Sequence, residues 1–61
     1  MEVYNVEVIQ IDENLWRAIS IVGSDHMWEV GISKEDVIEK FRHNHKLDNV
    51  FFDFLTLEEV I

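Results

Sequence analysis

Three histidines and several adjacent acid pairs are the residues of this sequence whose types could do chemistry. His26, His43 and His45 could ligate a metal or carry a proton. Their spacing argues against both. His43 and His45 stand two apart at the end of a stretch that reads as helix, so their rings point in different directions. His26 lies in another segment, and the chain has no cysteine and no HExxH pattern to complete a site. The simpler reading is solvated histidines, two of which complement the negative end of a helix. His43-Asn44-His45 spells HNH, but the nuclease motif of that name is dispersed over a ββα-metal unit. Asp12/Glu13, Glu35/Asp36 and Glu58/Glu59 are neighbours in sequence. Neighbours point apart in a strand and diverge by about 100° on a helix, so none is a catalytic dyad by itself. There is no Ser, His and Asp arrangement and no glycine-rich phosphate loop. The chain therefore reads as a non-enzyme without metal or cofactor.

Trp16, Trp28, Phe41, Phe51, Phe52 and Phe54 could stack nucleic-acid bases. Stacking needs a basic groove as well, and this chain has a formal net charge of −8. Core and dimer contacts explain the aromatics better, or a protein-binding hot spot where one lies beside carboxylates. The charge is uneven. Arg17 and Lys34 are the only Lys or Arg before Lys40, while Lys40, Arg42, His43, His45 and Lys46 cluster. Such a chain repels nucleic acid and anionic membranes and attracts basic protein surfaces.

The 61 residues make one small domain, 1–61, with a marginal core. Hydrophobic residues are 48% of it. That is more than so small an interior can hide, so part is expected to be buried between subunits of a homodimer. Lacking cysteine, the chain suits a reducing bacterial cytoplasm. No apolar run approaches the ~20 residues of a membrane span, and MEVYNVEV has no basic n-region of a signal peptide. The chain reads as a complete small protein.

Gly31 to Asn44 is the clearest helix. Ser33 is the expected N-cap, and Asp36 can reach back to the Ser33 N–H as a weak capping box. Ile32 and Val37 could form a hydrophobic staple, and Asn44 could take the left-handed conformation that ends many helices. Glu35 and Asp36 suit the positive end of the dipole. Val37, Ile38 and Phe41 make a narrow apolar stripe. Strands are expected at residues 2–11, 15–22, 26–30 and 50–57, with turns at 12–14 and 23–25 and a connection at 47–49. In the first, Tyr4, Val6 and Val8 share a face, and Ile9 and Ile11 break the pattern through a bulge or a late-buried second face. The second is apolar on both faces, with Leu15, Ile19 and Ile21 opposite Trp16, Ala18 and Val22. The third puts His26, Trp28 and Val30 opposite Met27 and Glu29. The order β-β-β-α-β implies an α+β fold: an antiparallel sheet of three to four strands with one helix packed on one face. The other face, or a sheet edge, is the expected dimer interface.

Several stretches carry a resemblance. They are Tyr4-Asn5-Val6, a short acidic turn, Trp28-Glu29, then Gly31-Ile32-Ser33-x-x-Asp36-Val37 with Phe41 one turn on, and the end Leu57-Glu58-Glu59-Val60-Ile61. Together they resemble the small dimeric uracil-DNA glycosylase inhibitors of Bacillus phages. The resemblance implies a sheet-and-helix protomer, dimerisation, and an acidic surface that imitates DNA. It also implies an apolar pocket that captures the enzyme's DNA-intercalating leucine. By position Glu29 matches an enzyme-contacting acid, Val37 a pocket phenylalanine and Phe41 a pocket tyrosine. Ile38 stands where the family has a second functional acid, Val37 is smaller than its counterpart, and the region from Asn14 to Trp28 is longer.

The physics of mimicry suits the sequence independently. A glycosylase grips phosphates with positive groups, flips a base and fills the gap with an apolar wedge. A competitor needs carboxylates spaced like phosphates and a hole for the wedge. Acids two apart on one strand face repeat at ~6.7 Å, about two base steps. Here acids are spread over strands, turns and helix start. The expectation is a DNA-mimic inhibitor that occupies the basic DNA-binding groove of a host enzyme, uracil-DNA glycosylase above others. Its contacts are expected at Glu29, Glu35, Asp36, Val37, Ile38 and Phe41. Alternatives are an inhibitor of RNA polymerase, a restriction enzyme or a CRISPR nuclease, or an antitoxin-like dimeric regulatory domain.

Overall fold

The computed structural model describes residues 2–57. The Leu57–Ile61 end used in the resemblance lies outside the described residues apart from Leu57. The described chain runs β1 (Glu2–Asp12), β2 (Leu15–Val22), β3 (Asp25–Gly31), α1 (Lys34–Asn44) and β4 (Val50–Leu57). It is α+β, a four-stranded sheet in the order β3-β2-β1-β4 with α1 packed on one face. β1 with β2 and β2 with β3 are antiparallel, while β4 lies parallel to β1. The helix is the reason. It carries the chain back over the sheet, so β4 begins at the end where β1 begins.

Local chemistry sets the two hairpins. Asp12 Oδ1 accepts from the Glu13 N–H at 2.7 Å and closes the first turn. The ladder slips between Gln10 and Asp12, a bulge that accounts for Ile11. Ile9 stays in register opposite Arg17, and the slip comes after it. The second hairpin turns on Gly23 at φ 61°, a left-handed backbone that costs glycine little.

The helix begins as the sequence indicates. The Ser33 hydroxyl accepts from the Asp36 N–H at 3.1 Å. The return bond differs: Asp36 Oδ2 accepts from the Ile32 N–H at 3.0 Å, one residue earlier than the capping box would have it. Ile32 is 71% exposed, so it does not bury itself in a staple. Asn44 is helical, and the left-handed residue is Asn49, at φ 60° in the return to β4. Helical Asn44 is followed by His45 as the C-cap, whose N–H donates to the Phe41 carbonyl at 3.0 Å.

The core lies between helix and sheet. Val6, Val8, Ala18, Met27, Val37 and Phe41 are buried, with Tyr4, Trp16, Ile38, Phe52 and Phe54 packed around them. Ala18 is the only small apolar member, and it leaves room for the helix on the central strands. Phe41 meets Phe52 and Phe54 edge-on, with ring centroids at 5.1 and 5.8 Å, an arrangement that suits the ring quadrupoles. Among the described residues Ser20 is the buried polar one, and its Oγ donates to the Asn5 carbonyl at 2.8 Å.

Candidate partner-binding site

The residues expected to meet a partner fall into two environments. Val37 and Phe41 are fully buried between α1 and the sheet, and Ile38 is half-buried against the same core. Their i, i+4 spacing aims them at the sheet, and β4 supplies the rings that close over Phe41. Glu35 is exposed in the first helical turn. Asp36 is bound to the Ile32 N–H and lies 3.1 Å from Lys40 Nζ. The Ile32 N–H first, and Lys40 next, hold its carboxyl below the ordinary 3.8.

Glu29 sits on the helix side of β3 and is a clasp. Its Oε1 accepts from Asn44 Nδ2 at 3.1 Å and lies 3.0 Å from His45 Nε2. His45 in turn packs on the Phe41 ring with centroids 4.8 Å apart. One carboxylate therefore ties the last helical turn to the sheet. Its side chain is only 22% exposed. His43 is exposed on the helix, and His26 lies on the far face of the sheet. The three histidines do not converge, and among the described residues no group of three His, Cys, Asp or Glu could hold a metal ion.

Three members of the basic cluster have contacts within the protomer, while His43 and Lys46 are exposed. Lys40 pairs with Asp36, the Arg42 guanidinium lies 5.0 Å over the Phe54 ring, and His45 pairs with Glu29.

One place gathers acids that the sequence pattern did not group. Beyond the helix C-terminus, Glu2 and Tyr4 of β1, Asp25 of β3 and the return segment Leu47, Asp48, Asn49 and Val50 line an open cleft of about 500 Å³. Its wall is fixed by the Glu2 N–H, which donates to the Asn49 carbonyl at 2.9 Å, and by the left-handed turn at Asn49. Leu47 is 46% exposed and gives the cleft an apolar side. Burial first, then the charges of Glu2 and Asp25, raise the Tyr4 phenol above its ordinary 10.0. The cleft is thus a negatively charged hollow with an aromatic and apolar wall. Asp25 opens β3 and Asp48 lies in the return segment, and only the fold brings them beside Glu2. The one sequence signal was an acid at each of these element ends.

No protein-family model, no curated protein and no solved structure matches the chain.

Proposed function

We propose that this protein is an acidic inhibitor that occupies the DNA-binding groove of a bacterial enzyme, with uracil-DNA glycosylase as the favoured target. The cleft carries this reading. Glu2, Asp25 and Asp48 surround an opening whose wall includes Leu47, Val50 and Tyr4. A DNA-reading groove offers positive groups for phosphates and an apolar wedge for the vacated base position. Carboxylates around a partly apolar hollow complement both. The wedge hole is then this cleft and not Val37 and Phe41, which are core. Glu35, exposed at the helix start, extends the acidic surface, while Glu29 supports the fold behind it. In this reading the protein acts in the bacterial cytoplasm, performs no catalysis, and binds neither nucleic acid nor membrane.

The test is uracil excision by a bacterial uracil-DNA glycosylase with the folded protein in excess. Excision stops, and added DNA competes. The double reversal Asp25→Lys, Asp48→Lys slows association and weakens its salt dependence, because such charges mainly steer encounter. Excision that continues unchanged beside folded wild-type protein rejects the glycosylase. The same assay with RNA polymerase and defence nucleases then decides whether the groove belongs to another enzyme.

A further inference from the structure

The face of the sheet turned away from α1 is uncovered and largely apolar. Val3, Ile21, Trp28, Val30, Phe51 and Leu55 alternate with the core residues of their strands and are between 41% and 59% exposed. Half-exposed side chains of this size show roughly 100 Å² each, so these six show on the order of 600 Å². That is the top of the range for the largest patch on a monomer. With Leu57 and Leu15 at its margin the face approaches the ~800 Å² that each partner brings to a stable interface.

The charges at its centre say what covers it. Two of the cross-strand rows cross the middle of the face: Val30, Arg17, Ile9, Leu57 and, two residues along, Trp28, Ile19, Glu7, Leu55. Arg17 and Glu7 sit diagonally on the two central strands. They have opposite sign and are exposed, and they are not paired with each other. A two-fold axis lying between two such faces, midway between Arg17 and Glu7, sets each arginine over the other copy's glutamate. A face with opposite charges offset about its centre is complementary to itself. Asp53, between Phe51 and Leu55 on the β4 edge, is a further acid on this face, while the acids of the cleft and helix start lie on the other side.

We infer that the open sheet face binds a second copy of this chain face to face, with Arg17 of each protomer paired to Glu7 of its partner. The dimer is a sandwich of two sheets with the helices outside. It leaves both acidic clefts open and does not depend on the identity of their target.

Sedimentation equilibrium on the full chain tests this, beside Arg17→Glu, Glu7→Arg and the double exchange, each checked for fold by circular dichroism. The wild type is a dimer at micromolar concentration. Each single reversal raises the dimer dissociation constant about tenfold or more, and the double exchange restores it. A wild-type monomer overturns the inference. So does a dimer that both single reversals leave intact, which would place association at a strand edge or on the helix side. Should a reversal unfold the chain, Trp28 decides. In the Trp16→Phe chain it is the sole tryptophan, and acrylamide quenching of its emission must fall as the protein associates. Quenching that stays constant while dimer forms rejects the face.

Discussion

Gly31→Ala separates packing from conformation at the hinge between sheet and helix. Gly31 closes β3, and the first turn of α1 folds directly onto it. A Cβ there would stand 2.7 Å from Asp36 Oδ2, 2.8 Å from Val37 N and 3.0 Å from Val37 Cα. Non-bonded carbon contacts are comfortable at ~3.5–4.0 Å. The carboxylate could swing away, at the expense of its bond to the Ile32 N–H. The Val37 backbone can move only with the helix, and its side chain is fully buried. Overpacking of this kind costs ~1–3 kcal/mol. Replacing glycine restrains the unfolded chain and returns ~0.4–1 kcal/mol. The clash prevails, for a net loss of about 1–2 kcal/mol. A chain of this length has roughly 3–9 kcal/mol of stability in all. At ~4–8 °C per kcal/mol the melting temperature falls by about 5–15 °C, read from thermal circular dichroism. Gly23 is the control. Its surroundings are open, but its φ is +61°. Asn, which tolerates a left-handed backbone, is therefore milder than Ala at position 23 and no milder at position 31. A Gly31→Ala chain that melts at or above the wild-type temperature would refute the steric argument.

The other predictions concern the two helix ends. Glu29→Ala removes the acceptor shared by Asn44 and His45 and costs about 1–2 kcal/mol in chemical denaturation, with faster amide exchange in the last helical turn. Inhibition then declines only as the folded fraction does, and a loss of inhibition at full stability would show instead that Glu29 touches the target. At the other end, the folded pKa of Asp36 lies below its unfolded value, so the stability it contributes is fully present above about pH 4 and is lost as pH falls through the folded pKa. Wild type therefore loses more stability than Asp36→Asn on acidification from about pH 5 to 2, and parallel acid curves would contradict that linkage.

Local signals in the sequence were enough to place the elements. Alternation, turn residues and one N-cap give the order β-β-β-α-β, the start of the helix after Ser33, and the faces of the first three strands. These depend on neighbours a few residues apart, and short-range physics fixes them. The same pattern is silent on partners distant in the chain. Which acid caps and which clasps was decided by proximity: Glu29 meets Asn44 and His45 only because α1 crosses back over β3. The stripe Val37, Ile38 and Phe41 is equally compatible with a pocket and a core, and the rings of β4 close it into a core. The cleft is the same lesson in reverse. Glu2, Asp25 and Asp48 are remote in sequence and lie on no common period, so only the crossover that sets β4 beside β1 brings them around one opening.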